Sequence, residues 1–214
     1  MAPEGRIIFV PLFGLAILSS LAYLALPLVL LGGIAVLLWV LCGFVMFFFR
    51  DPTRNPPDDQ RAVTSPADGR IVAIQAIGHD PHIDAEAVQV SIFLSLFNVH
   101  AQRVPVDAQV QATTYQHGRF LAAFKSAASL ENEQAITHFT ANEGKFIVKQ
   151  IAGVLARRII CYMSPDRSAQ RGDRLGFIRF GSRVDFIVPA NFQLLVQVGD
   201  RVKGAVTNMW YFKS

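Results

Sequence analysis

The sequence predicts a mainly β (α+β) soluble domain that follows an N-terminal membrane hairpin of two helices. Three observations support this fold class. Residues 7–49 contain no charged residue. Residues 51–59 are polar and proline-rich, as expected of a tether. The rest of the chain contains short runs rich in Val, Ile and Phe, bounded by Gly, Pro, Asp or Asn, which is typical of strands.

The uncharged stretch is too long for one membrane crossing, which takes about 20 apolar residues. We expect two helices near 7–25 and 31–49, with the turn at Pro27 or at Gly32-Gly33. A re-entrant hairpin that does not fully cross is an open alternative. A cleaved signal peptide is disfavoured, because the apolar region is too long and Glu4 interrupts the basic start.

Two crossings place both ends of the hairpin on the same side of the membrane. Arginines flank the hairpin at position 6 and at positions 50, 54 and 61. By the positive-inside rule, these residues predict a protein of the inner (cytoplasmic) membrane with the domain after the tether on the cytoplasmic side.

We therefore divide the chain into an anchor (1–50), a tether (51–64) and a β-rich domain (65–214). The strands are predicted at 70–77, 88–94, 104–115, 135–140, 146–151 and 184–188. Short helices are predicted at 120–130 and 154–160, although the second segment fits a strand equally well.

Turn motifs within this domain indicate its type of sheet. The segments 65–69, 171–176 and 198–204 repeat a Gly-and-Asp pattern before apolar residues. They resemble the β-hairpin corners of biotinyl and lipoyl domains. No lysine stands between two hydrophobic residues at such a corner, so a swinging-arm carrier is disfavoured.

The overall charge and the cysteines exclude several classes of protein. The net charge of +4 is modest and dispersed, and no basic stripe with interleaved aromatic residues predicts nucleic-acid binding. A mildly positive domain beside a membrane suits anionic lipid headgroups. Cys42 and Cys161 form no disulfide framework and fit reduced core thiols.

The pair Gly181-Ser182 is the candidate reactive site. A serine hydroxyl beside an unshielded glycine carbonyl can attack it when a base removes the hydroxyl proton. Spacing alone favours an ordinary turn. His100, between two apolar runs, is the best candidate base, and Asp68, in a Pro-Ala-Asp-Gly turn, is the best orienting carboxylate. The alternatives are a histidine that caps a strand and a carboxylate that only forms its own turn.

The other histidines give weaker evidence for a functional site than His100 does. His79, His82, Asp80 and Asp84 lie close together, but no second ligand group has metal spacing, so we expect no metal. His117 and His138 fall in polar runs and are expected to form local hydrogen bonds. No phosphate-cradling glycine loop and no nucleophile elbow is found.

In combination, several motifs resemble the phosphatidylserine decarboxylase proenzymes, specifically their short bacterial and archaeal branch. They run in order along nearly the whole chain and are highly specific together. They are Phe48-Phe49-Arg50-Asp51-Pro52, Ser65-Pro66-Ala67-Asp68-Gly69, Phe97-Asn98-Val99-His100, Arg103-Val104-Pro105, Gln150-Ile151-Ala152-Gly153, Ala156-Arg157-Arg158-Ile159, Gly172-Asp173-Arg174-Leu175-Gly176 and Phe180-Gly181-Ser182-Arg183-Val184-Asp185.

The resemblance implies that the Gly181–Ser182 bond breaks by itself, with His100 as base and Asp68 orienting its imidazole. The products would be a β chain (1–181) and an α chain (182–214), which would remain paired as a heterodimer. Ser182 would become a covalent pyruvoyl group, the cofactor for decarboxylation of phosphatidylserine in the membrane. Longer family members carry a second histidine shortly before the one that matches His100. Phe97 lies in that neighbourhood here, so a role for that histidine is not carried over.

Two other functions remain open. One is a membrane-tethered β-domain that binds lipids without cleaving itself, and the other is the same chemistry on archaetidylserine. The residue that meets the lipid phosphate is also open. The sequence offers Arg119, Lys125, Arg157, Arg158 and Arg183.

Overall fold

A computed structural model describes residues 1–125, 127–154, 158–179 and 181–212. The chain forms two compact units, Met1–Pro52 and Thr53–Ser214. The predicted fold class is confirmed, because two apolar helices are followed by a domain made mostly of antiparallel strands.

The first unit is a helical hairpin of α1 (Pro3–Ala25) and α2 (Val29–Phe48). Both helices are long and apolar enough to cross a membrane. The chain turns around Pro27, whereas Gly32 and Gly33 lie inside α2, so the alternative turn position is wrong. Gly32 instead allows close packing, because a Cβ there would lie 3.0 Å from the Tyr23 ring.

A polar contact also joins the two helices. Trp39 Nε1 donates a hydrogen bond of 3.2 Å to Ser20 Oγ. Ser20 Oγ in turn donates to the carbonyl of Ala16 in the preceding turn of α1. This pairing satisfies two polar groups inside a stretch that is otherwise apolar.

The second unit contains, within the described residues, an antiparallel sheet of eight strands and two sheets of three. In spatial order, the large sheet is β13-β2-β3-β11-β7-β6-β5-β9, and the small ones are β1-β14-β12 and β4-β10-β8. The strands are β1 (Ala62–Thr64), β2 (Gly69–Asp80), β3 (Ala85–Leu94), β4 (Ala101–Arg103), β5 (Ala108–Gln116), β6 (Gln134–Ala141), β7 (Gly144–Ile151), β8 (Ile159–Cys161), β9 (Ser168–Ala169), β10 (Arg174–Ile178), β11 (Ser182–Pro189), β12 (Gln193–Leu194), β13 (Arg201–Val202) and β14 (Asn208–Tyr211).

Strand β11 lies in the middle of the large sheet, and all eight of its residues are buried. It pairs with β3 on one side and with β7 on the other. Because side chains alternate along a strand, Ser182, Val184 and Phe186 face the main hydrophobic core, while Arg183 and Asp185 face the opposite side.

Two of the three Gly-and-Asp segments form structurally equivalent turns. In 170–173 and in 197–200, the Asp side chain accepts a hydrogen bond from the backbone N–H three residues earlier. Each turn then exchanges two backbone hydrogen bonds with one apolar residue, Val104 in the first case and Ile71 in the second. The glycines of these turns, Gly172 and Gly199, have positive φ values of 90° and 102°, a conformation that favours glycine. The segment 65–69 differs, because its Asp side chain accepts from the distant Gly204 N–H.

Of the two helices predicted in this domain, the first is largely wrong. Among the described residues of 120–130, only those of α3 (Ala128–Glu131) are helical, because Asn132 holds the backbone N–H and C=O of Leu121 and competes with a helix there. Within 154–160, where a strand was the equal alternative, Ile159 begins a strand that pairs with β10. Residues 155–157, like Ser126 and Phe180, lie outside the described residues.

The strand predicted at 104–115 is also shorter than expected. It begins at Ala108, because Pro105 cannot donate a ladder hydrogen bond. Strands of two to five residues, such as β1, β4 and β9, were not predicted. Such short runs do not show a readable alternation of apolar and polar residues.

Candidate active site

His100 is completely buried between the end of β3 and the start of β4. The loop before it is a tight turn in which Asn98 Oδ1 accepts from both the N–H and the hydroxyl of Ser95, at 2.9 and 2.7 Å. The Asn98 carbonyl lies 3.0 Å from His100 Nδ1. A carbonyl can only accept, so this contact places the ring proton on Nδ1 and leaves the lone pair on Nε2.

The lone pair of His100 faces the predicted cleavage site. The backbone N–H of Gly181 donates to His100 Nε2 at 3.3 Å. The structure thus brings together the candidate base and Gly181, the residue before the candidate nucleophile, although they are far apart in sequence. The contact with an N–H is consistent with the Nδ1–H tautomer.

The hydroxyl of Ser182 is fully buried and has no hydrogen-bond partner among the described residues. Buried hydroxyls normally have a partner, and leaving one without costs about 1–3 kcal/mol. Unsatisfied polar groups of this kind are found where a protein performs chemistry. Ser182 is therefore the most conspicuous unpaired nucleophile close to the base.

Gly181 adopts a positive φ of 69°, a conformation that favours glycine. Its carbonyl is packed against Gly153, where an added Cβ would lie only 2.3 Å from the Gly181 oxygen. Two glycines thus have separate roles. Gly181 provides the backbone turn and Gly153 provides the space for the carbonyl that Ser182 would attack.

Asn132 fixes the segment that contains Gly153. Its buried side-chain amide donates to the carbonyls of Leu121 and Ala152, at 2.9 and 2.7 Å. Its Oδ1 accepts from the Leu121 N–H at 2.8 Å. With three hydrogen bonds, Asn132 ties two loops together next to the scissile peptide.

Asp68 lies elsewhere in the hydrogen-bond network. Its Oδ2 forms an ion pair with Arg54 at 2.8 Å, and its Oδ1 accepts from the Gly204 N–H at 2.8 Å. The group that holds the His100 ring is the Asn98 carbonyl. The assignment of Asp68 as the residue that orients His100 stays a prediction.

A buried ion pair lies on the opposite face of β11. Arg183 Nε contacts Asp185 Oδ1 at 2.6 Å, and its Nη2 donates to Ser91 Oγ at 2.6 Å. Arg183 Nη1 donates to the carbonyl of Lys125 at 3.2 Å, and Ser129 donates its hydroxyl to Asp185. These contacts explain why a charged pair is tolerated with no more than 3% of either side chain exposed.

These features agree with the comparisons with known proteins. A sequence profile of the phosphatidylserine decarboxylase family matches residues 41–208. The chain belongs to the phosphatidylserine decarboxylase family. The phosphatidylserine decarboxylase proenzyme of Aromatoleum aromaticum is 47% identical over 176 residues, which cover 82% of this chain and 81% of that protein. The proenzymes of Burkholderia mallei (46%, covering 82% and 81%) and Ralstonia nicotianae (44%, covering 79% of each) are similar.

Family membership confirms the resemblance and the expectation of an enzyme, a decarboxylase. In this phosphatidylserine decarboxylase family member, three contributions to the site were not predicted from the sequence: those of Gly153, Asn132 and the Asn98 carbonyl. Gly153 and Asn98 lie inside the family motifs, so their position in those motifs is the signal that could have indicated them. Asn132 lies outside those motifs, and only the structure brings it to the site.

The remaining candidates of the decarboxylase chain lie outside this site. Among the described residues, no group of three potential ligands could hold a metal ion. His79 and Asp84 form an exposed pair at 3.5 Å. The rings of His82 and His138 pack edge to face with centroids 4.2 Å apart. The pKa values of His82 and His138 are both lowered, mainly by burial. The positive charge of Lys145 lowers the pKa of His82 further.

Proposed function

We propose that this chain is the precursor of a pyruvoyl-dependent enzyme that decarboxylates phosphatidylserine to phosphatidylethanolamine and CO2 at a membrane surface. The printed name of its relatives supports the substrate. The observation that carries the proposal is the contact of His100 with the residue before Ser182. His100 Nε2 accepts a hydrogen bond from the Gly181 N–H, and the next residue, Ser182, has a buried hydroxyl without a partner among the described residues.

In the first stage the chain cleaves itself. His100 Nε2 gives up its hydrogen bond from the Gly181 N–H and accepts one from the Ser182 hydroxyl instead. It then removes the hydroxyl proton, and Ser182 Oγ attacks the Gly181 carbonyl carbon. The peptide bond becomes an ester. Elimination then releases Gly181 as a carboxylate, and hydrolysis of the remaining residue 182 yields a pyruvoyl group and ammonia.

The residues around position 182 suit a group formed in place. The hydroxyl of Ser182 is buried without a partner, so it has no competing structural role, and the glycines leave room at the carbonyl. A carbonyl at residue 182 supplies the electron sink that decarboxylation of an amino acid needs. His100 then serves a second time, as the residue that returns a proton to the α-carbon before the product leaves.

The sheet would keep the two products together. The α chain (182–214) would begin with β11, which pairs with β3 and β7 of the β chain (1–181) over its length. The Arg183–Asp185 pair and its contacts to Ser91 and Ser129 bind the first residues of the α chain to the β chain. A heterodimer held in this way needs no covalent link.

The anchor fits a lipid substrate. We assign residues 1–50 to a membrane hairpin, 51–64 to a tether and 65–214 to the catalytic domain, on the cytoplasmic side of the inner membrane. The two apolar helices and the flanking arginines support this assignment. A diacyl lipid leaves a bilayer at a cost of about 0.8 kcal/mol per exposed CH2, so an enzyme that meets it at the headgroup plane avoids that cost.

Intact mass of the purified protein tests the proposal. We expect two polypeptides, 1–181 and 182–214, with the second carrying pyruvoyl at its first residue. The Ser182→Ala variant should remain whole and inactive, while Ser168→Ala, an exposed serine, should cleave normally. A wild-type chain that stays intact but is active, or a Ser182→Ala chain that still splits, would overturn it.

A second substitution decides how the imidazole is held. If Asp68 orients His100, Asp68→Asn should slow cleavage as strongly as loss of the histidine. If the Asn98 carbonyl alone holds the ring, Asp68→Asn should only weaken the contacts to Arg54 and Gly204 and leave cleavage close to normal.

A further inference from the structure

The structure narrows the search for the residue that meets the substrate phosphate. Of the five basic residues that the sequence offers, Arg183 is buried in its ion pair and Arg119 contacts Glu131 at 3.1 Å. Arg157 lies outside the described residues. Lys125 and Arg158 are exposed and line neither of the two cavities described below.

A different basic cluster lines a cavity of about 660 Å³ beside the His100 loop. It consists of Arg70, Arg201 and Lys203, all exposed to solvent. The cavity also contains Ser95 and Asn98, the two residues of the turn that holds the His100 ring. The two turn residues, Ser95 and Asn98, thus connect the basic cluster to the candidate base, His100.

Strand pairing links this cluster to the strand that begins at Ser182. Arg201 pairs with Arg70, Arg70 pairs with Phe93, and Phe93 pairs with Arg183, the residue after Ser182. Paired residues of neighbouring strands lie on the same face of a sheet, about 4.8 Å apart from strand to strand. The row therefore leads from the basic cavity across β3 to Arg183, on the face of β11 opposite to the Ser182 side chain.

Among the described residues, Arg70, Arg201 and Lys203 form no ion pair. Asp68 also lines it, but its carboxylate is already paired with Arg54 at 2.8 Å. Arg70 is oriented by a hydrogen bond of 3.0 Å from its Nε to the carbonyl of Gly199. Three cationic groups around one cavity attract a phosphate, and arginine matches its oxygens with paired N–H donors.

A second, apolar cavity of about 360 Å³ adjoins the first. The two share Phe93, Ser95 and Phe97 as a common wall. Gly181 lines the apolar cavity together with Phe124 and Val154. A phosphate site next to the cavity that Gly181 lines suits a serine-headed phospholipid, because its phosphate is separated from the carbon that loses CO2 by only one oxygen and one methylene.

We propose that Arg70, Arg201 and Lys203 form the binding site for the phosphodiester of the lipid headgroup and place the serine group at residue 182. The proposal rests on the proposed function. It replaces the basic residues suggested by the sequence with a cluster that pairs through the sheet to the reactive strand.

Kinetics with a short-chain phosphatidylserine dispersed in neutral detergent test this site. We expect Arg70→Gln, Arg201→Gln and Lys203→Gln each to raise KM about tenfold, and the triple variant to raise it further, because each removes one charge-assisted hydrogen bond. Intact mass should show normal cleavage in every variant. Lys145→Gln, an exposed lysine at the far end of β7, is the charge-matched control and should behave as wild type.

Binding measurements separate the headgroup from phosphate alone. The uncleaved Ser182→Ala precursor should bind glycerophosphoserine, and the triple variant of that precursor should bind it at least tenfold more weakly. Inorganic phosphate should compete with glycerophosphoserine, but with lower affinity. Equal binding of glycerophosphoserine by the triple variant and its parent would overturn the proposal.

Other outcomes distinguish the proposals from each other. If the triple variant has a normal KM in neutral detergent and loses activity only on anionic vesicles, the cluster attracts the bilayer and is not a headgroup site. If the wild-type protein neither cleaves itself nor releases CO2, the proposed function fails, whatever the basic residues bind.

Discussion

On the core face of β11 the hydroxyl of Ser182 is buried without a hydrogen-bond partner among the described residues, whereas on the opposite face Arg183 and Asp185 have several partners. The two faces begin one residue apart. The difference separates reactivity from positioning, since an unpaired nucleophile can change partners during a reaction and a buried, hydrogen-bonded ion pair cannot move without a large cost. The contacts of Arg183 and Asp185 thus fix the position of the strand that carries the Ser182 hydroxyl.

Removing the base should have the largest effect on the reactive face. We expect His100→Gln to slow self-cleavage by about 10²–10⁴-fold, the usual contribution of a general base. Measurement of the uncleaved fraction with time by intact mass checks this. His117→Gln is a control, because that histidine is 88% exposed. If His100→Gln cleaves at the wild-type rate, His100 is not the base. The contrast between a reactive and a positioning face of β11 would then be wrong as well.

Removing one partner tests the saturated face. Asp185→Ala leaves Arg183 buried without its counter-charge, and should lower the free energy of unfolding by about 3–5 kcal/mol. Denaturant unfolding of the uncleaved Ser182→Ala protein in detergent measures this in a single chain. The double variant Arg183→Met/Asp185→Leu is the control and should restore most of the loss. If the single and double variants are equally unstable, packing matters here more than charge.

Crowding the scissile carbonyl should affect the reactive face alone. In Gly153→Ala the new Cβ would lie 2.3 Å from the Gly181 oxygen, so the carbonyl must shift. A misplacement of about 1 Å can cost about 10²-fold in rate, and we expect a loss of that order in self-cleavage. Gly43→Ala, with open space at its Cβ position, should cleave normally. Fast cleavage in Gly153→Ala would show that the carbonyl position is not critical.

The smallest effect is expected far from both faces, at the His82–His138 pair. Folding lowers the pKa of both rings, so below their ordinary pKa of about 6.5 the unfolded chain binds protons more readily than the folded one. Stability should therefore fall as the pH drops below that value. The melting temperature at pH 7.5 and pH 5.5 measures this, and the decrease should be smaller in His138→Gln than in the exposed control His117→Gln. An equal decrease in both would exclude the pair as the source.

The sequence predicted the fold class and the central strands well for a physical reason. Strands such as β3, β7 and β11 are long, buried and rich in Val, Ile and Phe, so the local pattern and the tertiary structure agree. It predicted helix poorly at 120–130, where one side chain, Asn132, overrides local propensity through contacts with distant loops. Strands of two or three residues carry too little pattern to be predicted.

The parts of the site that need a particular residue type for their chemistry could be predicted from the sequence. The parts that depend on which groups the fold brings together could not. Ser182, Gly181 and His100 stand in recognisable motifs and are the residues for which we propose a chemical role, and the structure brings His100 to Gly181. The part played by the Asn98 carbonyl is invisible in the sequence because every residue has one. The basic cluster depends on the pairing of Arg201 with Arg70, 131 positions apart (201 minus 70), which no local motif reports.

The position of β11 between β3 and β7 has a consequence for the life of the protein after cleavage. Before the cut, unfolding and refolding interconvert states of one molecule. After the cut proposed at Gly181, the centre of the sheet belongs to a separate polypeptide, and unfolding releases it into solution. Recovery then requires an encounter between two chains and depends on their concentration. The proposed maturation would thus turn folding into an event that each copy of the protein completes once, as a precursor, and the persistence of the cleaved enzyme would be set by how slowly its central strand dissociates.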